Sequence, residues 1–223
     1  MATEFISTPR GYHSRLDRNE SRLLQELCDD VVKLLEDDAE HRAPGGNDAH
    51  PMTDQLFTIT GIDPSEFAEL ARSFGNEDTP VPEHEMHRPA PTDPAVQALL
   101  PSAHQGTGPA AQFRAKHEEN LRYQKIADLR SAQVYFATTD LYLDEAAAVL
   151  VARVLNHIRL TLAARLRIES EEDAAKIHLI MDSTQAADPR SYMALIYNFL
   201  TWWQDSLTEA LLLELPEPDG NDA

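Results

Sequence analysis

Through 144–168 apolar residues recur at three- and four-residue steps, so that Val151, Val154, Leu155, Ile158, Leu162 and Leu166 share one side of a 3.6-period helix. The rest of the chain is expected to pack around this stretch. Asp144 stands where a carboxylate accepts hydrogen bonds from the free N–H groups of a helix start, with Glu145 beside it at the positive end of the dipole. Past Glu145 the segment holds no acid but four arginines, Arg153, Arg159, Arg165 and Arg167. Arg165 lies inside the apolar arc. A guanidinium keeps its proton, so Arg159 and Arg165 are expected to pair with acids of neighbouring helices such as Glu118, Glu119 or Asp205, while Arg153 and Arg167 point outward.

The same reading of periods gives the other elements. Phe5, Ile6, Tyr12 and Leu16 around Pro9 and Gly11 leave room for a short N-terminal β-hairpin over 4–16. Asp17 and Glu20 then form a capping box for a helix to about residue 40, whose apolar arc includes Leu24, Leu27, Cys28, Val31 and Leu35. Asp63 and Pro64 start a short helix carrying Phe67, Leu70 and Phe74, and Asp93 and Pro94 start another that Pro101 ends. A long, weakly amphipathic helix over 109–138 has a stripe of Leu121, Leu129 and Phe136 with Arg114, Glu118 and Lys125 beside or within it. Leu141 and Leu143 read as a link. Residues 169–185 suit a further helix or a short strand, and Asp188 and Pro189 open the last helix, which carries Leu195, Phe199, Trp202, Trp203 and Leu207.

The fold expected is mainly α: a single compact helical domain of five or six helices over 1–215, with mobile loops near 41–52 and 75–92 and an acidic disordered tail at 216–223. A length of 223 residues is ample for one core. The balance of 38 acidic against 19 basic side chains, net −19, favours basic protein surfaces as partners and argues against direct binding of nucleic acid, which draws on surplus Lys and Arg. The N-terminus has no signal-like apolar run, and no window approaches the roughly 20 apolar residues of a membrane span, so a cytoplasmic protein with no membrane partner is expected.

Few residues suggest chemistry. The eight glycines form no phosphate loop, and none of the nine histidines follows a Glu at the three-residue step of a di-iron bundle. Glu83, His84, Glu85 and His87 resemble a metal cluster only in composition, and His178 with Asp182 suits a surface pair; no catalytic, cofactor or metal site is expected. Cys28, the single cysteine, excludes an intramolecular disulfide. As a redox thiol it needs access and positive neighbours, whereas it lies in an apolar arc followed by Asp29 and Asp30, which favours a core cysteine. Trp202 and Trp203 point about 100° apart on a helix. One is expected in the core, leaving the other to seal its edge or to anchor a protein partner or a second copy of the chain.

Four blocks in order, DPAVQALLPSAH, FRAKHEENLRYQK, VLNHIRLTLAARLRI and YNFLTWWQDSLTEAL, resemble an actinobacterial family long classed as a domain of unknown function, which includes the oxidative-stress regulator AosR. The resemblance implies an intracellular, mostly helical, non-enzymatic regulator in which a cysteine redox change promotes contact with a stress sigma factor or RNA polymerase and raises transcription of cysteine-biosynthesis genes. It also implies genes lying near those for cysteine synthesis and for a Clp-protease adaptor, hence the alternative of an accessory factor in regulated proteolysis or cysteine metabolism. The chain departs from that pattern at the switch, since the intrachain disulfide needs two cysteines and only Cys28 is present.

Overall fold

Asp17 accepts hydrogen bonds from the backbone N–H groups of Asn19 and Glu20 while the Glu20 carboxylate accepts from the N–H of Asp17, and this reciprocal cap starts α1 (Arg18–His41). The computed structural model describes residues 1–42, 90–101, 108–180 and 188–213, with backbone only over 108–116. Within them the order continues from β1 (Ile6–Thr8) and β2 (Gly11–Arg15) through α1, α2 (Pro94–Leu99), α3 (Gly108–Phe136), β3 (Asp140–Leu143), α4 (Glu145–Leu166), α5 (Glu171–His178) and α6 (Pro189–Leu212). The fold is mainly α, with six helices among the described residues. The expected helix at Phe67, Leu70 and Phe74, the Glu83 to His87 group, Asp182, most of the loops near 41–52 and 75–92, and the tail lie outside them.

The N-terminal hairpin forms, and a third strand joins it. Leu141 and Leu143 are not a link: β3 pairs antiparallel with β2, with Tyr12 opposite Leu143 and Ser14 opposite Leu141, in the order β1-β2-β3. The period of two explains the strand. Leu141, Leu143, Tyr12 and Ser14 are buried, while Tyr142 and Ile6 face outward. Gly11 is required at φ +105°, because a Cβ there would lie 2.2 Å from the Leu143 carbonyl oxygen.

Helix α4 is the centre of the molecule, as its periodicity predicts. Its N-cap Asp144 accepts from the Ala147 N–H, and Val151, Val154, Leu155, Ile158, Leu162 and Leu166 are all buried. Helices α1, α2, α3 and α6 all pack against it. That enclosure accounts for a composition that, contrary to the sequence expectation, is long and apolar enough to cross a membrane by length and content alone. The helix closes on Arg167 in the left-handed region (φ 55°), where the Ile168 N–H reaches the Ala163 carbonyl and the Arg167 N–H that of Ala164. An arginine at the place usual for glycine costs about 1 kcal/mol.

Helix α3 is weakly amphipathic for a physical reason. Its inward stripe ends in Leu129, Ala132 and Phe136 but begins in Glu118 and Arg122, both buried. Asp38 in the last turn of α1 and its C-cap Arg42 are four apart; on α3, Glu118 and Arg122 are four apart; the two pairs cross. Arg42 grips Glu118 through both terminal nitrogens at 2.7 and 3.0 Å and meets Asp38 at 2.7 Å, and Arg122 bridges Asp38 and Glu118 at 2.8 Å each. The Arg122 guanidinium also donates to the Leu35 carbonyl, which leaves its Nε without a partner. Two buried cations face two buried anions, so the cluster is neutral as a whole.

Candidate functional site

Asp188 caps α6 by accepting from the N–H groups of Arg190 and Ser191, and Pro189 sits at the first helical position, where its missing N–H is harmless. The helix that follows sets Leu195, Asn198, Phe199, Trp202 and Asp205 at steps of three and four, along one face. That face, together with Ala2, Glu20, and His178 and Ile180 at the end of α5, lines a cavity of about 620 Å³. Asn198 holds the end of α5 in place by donating through Nδ2 to the Ile177 and Ile180 carbonyls, both at 2.9 Å, and its Oδ1 is buried without a partner.

The two tryptophans divide as their 100° separation requires. Trp203 is fully buried and donates through Nε1 to Ser14 Oγ at 3.0 Å and to the Thr3 carbonyl at 3.3 Å, joining α6 to the sheet. It anchors the core and offers nothing to a partner. Trp202 is 39% exposed at the cavity. Phe199 lies between them, its ring centroid 6.0 Å from Trp203 and 6.3 Å from Trp202, and Phe5 meets Trp203 from the other side at 4.9 Å. An aromatic row thus runs from the core to the surface. Glu20 on the lining is committed, accepting from the Ala2 and Asp17 N–H groups and lying 3.8 Å from the N-terminal ammonium, so the face suits an apolar side chain flanked by a cation that meets the exposed Asp205.

The arginines of α4 do not converge. Steps of six residues turn the helix by about 240°, which spreads Arg153, Arg159 and Arg165 around it. Arg165 is exposed at the rim of the apolar arc and pairs, as expected, with an acid of a neighbouring helix, though with none of the three named: it clasps Asp93, the N-cap of α2, at 3.0 and 2.8 Å. The Arg165 charge and the Ala95 N–H hold the Asp93 carboxyl below its usual range, against the opposing effect of partial burial. Arg153 points outward and reaches Asp128 at 3.4 Å. Arg167 is exposed and Arg159 half-buried, and neither has a carboxylate partner among the described residues.

Cys28 is fully buried in the core, and burial, with Asp29 adding to it, pushes the thiol up to about 12. Both effects oppose the thiolate that oxidation needs. His157 is buried between α3 and α4, where burial first and then the charges of Lys125 and Arg153 push its pKa down to about 4; its Nδ1 has no partner. Among the described residues no three His, Cys, Asp or Glu side chains gather as metal ligands. His178 lies against Tyr197, with centroids 6.3 Å apart, on the cavity lining.

Sequence reasoning singled out Trp202 but missed the cavity beside it. The spacing of 195, 198, 199, 202 and 205 was the available signal; the other wall, from α5 and the N-terminus, had none. Neither a curated protein nor a solved structure matches the chain. The model of one protein family, described as a domain of unknown function (DUF2017), matches residues 2–211. With nearly its whole length covered, the chain belongs to the DUF2017 family.

Proposed function

We propose that this protein is a non-enzymatic, cytoplasmic regulator of the oxidative-stress response that works by binding RNA polymerase or a stress sigma factor. The observation that carries the reading is Trp202, 39% exposed beside a cavity of about 620 Å³ and backed by Phe199. A half-exposed tryptophan with a second aromatic behind it is the kind of residue that dominates protein interfaces. The net charge of −19 supports a basic protein surface as the partner over nucleic acid. The sequence resemblance to a family that includes AosR supplies the stress context.

The burial of Cys28 shapes the reading. Its thiol is inaccessible in the folded chain, so the trigger in this protein is an event other than oxidation of Cys28. Run-off transcription tests the proposal: purified protein added to RNA polymerase carrying a stress sigma factor is expected to raise transcript from a stress promoter, under reducing conditions as well as oxidising ones. Unchanged transcript together with no measurable binding to the core enzyme, the sigma factor or the holoenzyme overturns it.

A further inference from the structure

A second surface is a groove of about 400 Å³ with α4 as its floor and α1 and α6 as its sides. Leu23, Leu27 and Leu34 stand at helical spacing along the α1 side and are only half-covered, although each touches the core. Met193 and Tyr192, the latter 55% exposed, form the α6 side. Glu26 and Asp30 stand exposed on the α1 rim, Glu26 in an exposed pair with Arg22 at 3.5 Å that a docked cation can replace, while the cation of the described lining, Arg165, is paired with Asp93. From Leu23 to Leu34 the wall rises about 16 Å, which matches three turns of a docked helix.

We infer that this groove is a docking site for a basic amphipathic helix of another protein, with apolar anchors at i, i+4 and i+7 facing α4 and Lys or Arg residues facing Glu26 and Asp30. Charge decides among the occupants. A second copy of the chain would bring another −19, and an anionic membrane surface would repel the acidic rim as well, whereas a basic helix is attracted by both the rim and the total. The inference rests on the reading of the protein as one that works through protein contacts, and it assigns that work a second surface, apart from Trp202.

The test uses three fluorescent 18-residue peptides: a Leu/Lys peptide with Leu on one helical face, the same composition with the Leu positions scrambled, and a Leu/Glu twin. Anisotropy titration of the full chain is expected to give tightest binding for the amphipathic Leu/Lys peptide and about ten-fold weaker binding or less for the other two. Reversing the rim charges with Glu26→Lys and Asp30→Lys should weaken the Leu/Lys peptide about ten-fold, while the same charge change on α5, Glu171→Lys and Glu172→Lys, should alter it less than about two-fold. Equal losses from the two reversals, or equal binding of the scrambled peptide, overturn the groove, because the protein then reads total charge alone. Groove-specific peptide binding with no effect in run-off transcription sinks the transcription reading and leaves the groove; a transcription effect that survives the rim reversal in the absence of groove-specific binding does the opposite.

Discussion

Replacing Glu118 by glutamine keeps the side chain's shape and removes one charge from a cluster whose four members, Asp38, Arg42, Glu118 and Arg122, have side chains no more than 10% exposed. Glu118 accepts from Arg42 at 2.7 and 3.0 Å and from Arg122 at 2.8 Å, so Glu118→Gln leaves two buried guanidiniums to share Asp38. Each contact of that length is worth about 6 kcal/mol in gross Coulomb energy at an effective dielectric of about 20, most of it offset by desolvation. Stranding a buried charge has a net cost of about 3–5 kcal/mol. For a chain of this size that corresponds to a fall in melting temperature of roughly 10 °C. The double variant Glu118→Leu with Arg122→Met removes one neutral i,i+4 pair, leaves Asp38 with Arg42, and also removes the unpartnered Arg122 Nε. It should therefore be more stable than Glu118→Gln alone. Urea unfolding of the three proteins measures both effects. A loss under about 1 kcal/mol for Glu118→Gln, or a double variant less stable than the single one, would refute the crossed, buried arrangement.

Gly11→Ala should destabilise by at least about 2 kcal/mol, from the positive φ together with the clash against the Leu143 carbonyl; thermal unfolding reads it, and a neutral result would mean that β3 does not sit beside β2 in this register. The imidazole of His157 is held neutral down to about pH 4 in the folded chain but takes a proton near 6.5 when unfolded, so its contribution is complete above about 6.5 and falls as the pH drops towards 4. In that window urea midpoints should show a slope of up to about 1.4 kcal/mol per pH unit that His157→Leu removes. The carboxyls of Asp17, Asp93 and Asp140, all held below 3.8, lose their contributions only under more acidic conditions. Arg165→Met breaks an exposed pair and should cost under about 1 kcal/mol by the same measurement, far less than a buried arginine would.

Local rules made most of the helices legible. Asp17, Asp93, Asp144 and Asp188 were each readable as caps because the capping carboxylate and its targets are two or three residues apart, and all four cap as expected. The buried arc of α4 followed from its period alone. What escaped were features made by distant pairings. Leu141 and Leu143 alternate like a strand, but four residues become one only when β2 offers its free edge. Asp38 with Arg42 and Glu118 with Arg122 each look like an ordinary surface pair, and nothing local says that they cross. The period of Arg165 predicts an acid partner from a neighbouring helix, but which acid, and the 41% exposure of the side chain, depend on where α2 ends up. The Trp202 cavity shows the same division: one wall is a helix face that spacing reveals, the other is assembled from the end of α5 and from the N-terminus, nearly the whole chain away.

The proposed binding to the transcription machinery runs through Trp202 and not through oxidation of Cys28. The dissociation constant of a stress-sigma RNA polymerase holoenzyme measured side by side for the unaltered chain, Trp202→Ala and Cys28→Ala tests it most directly. The account predicts a loss of at least about ten-fold for Trp202→Ala, a smaller loss for Trp202→Phe, and the unaltered constant for Cys28→Ala, with or without peroxide. Binding that is indifferent to Trp202→Ala, or that responds to peroxide only when Cys28 is present, would contradict it.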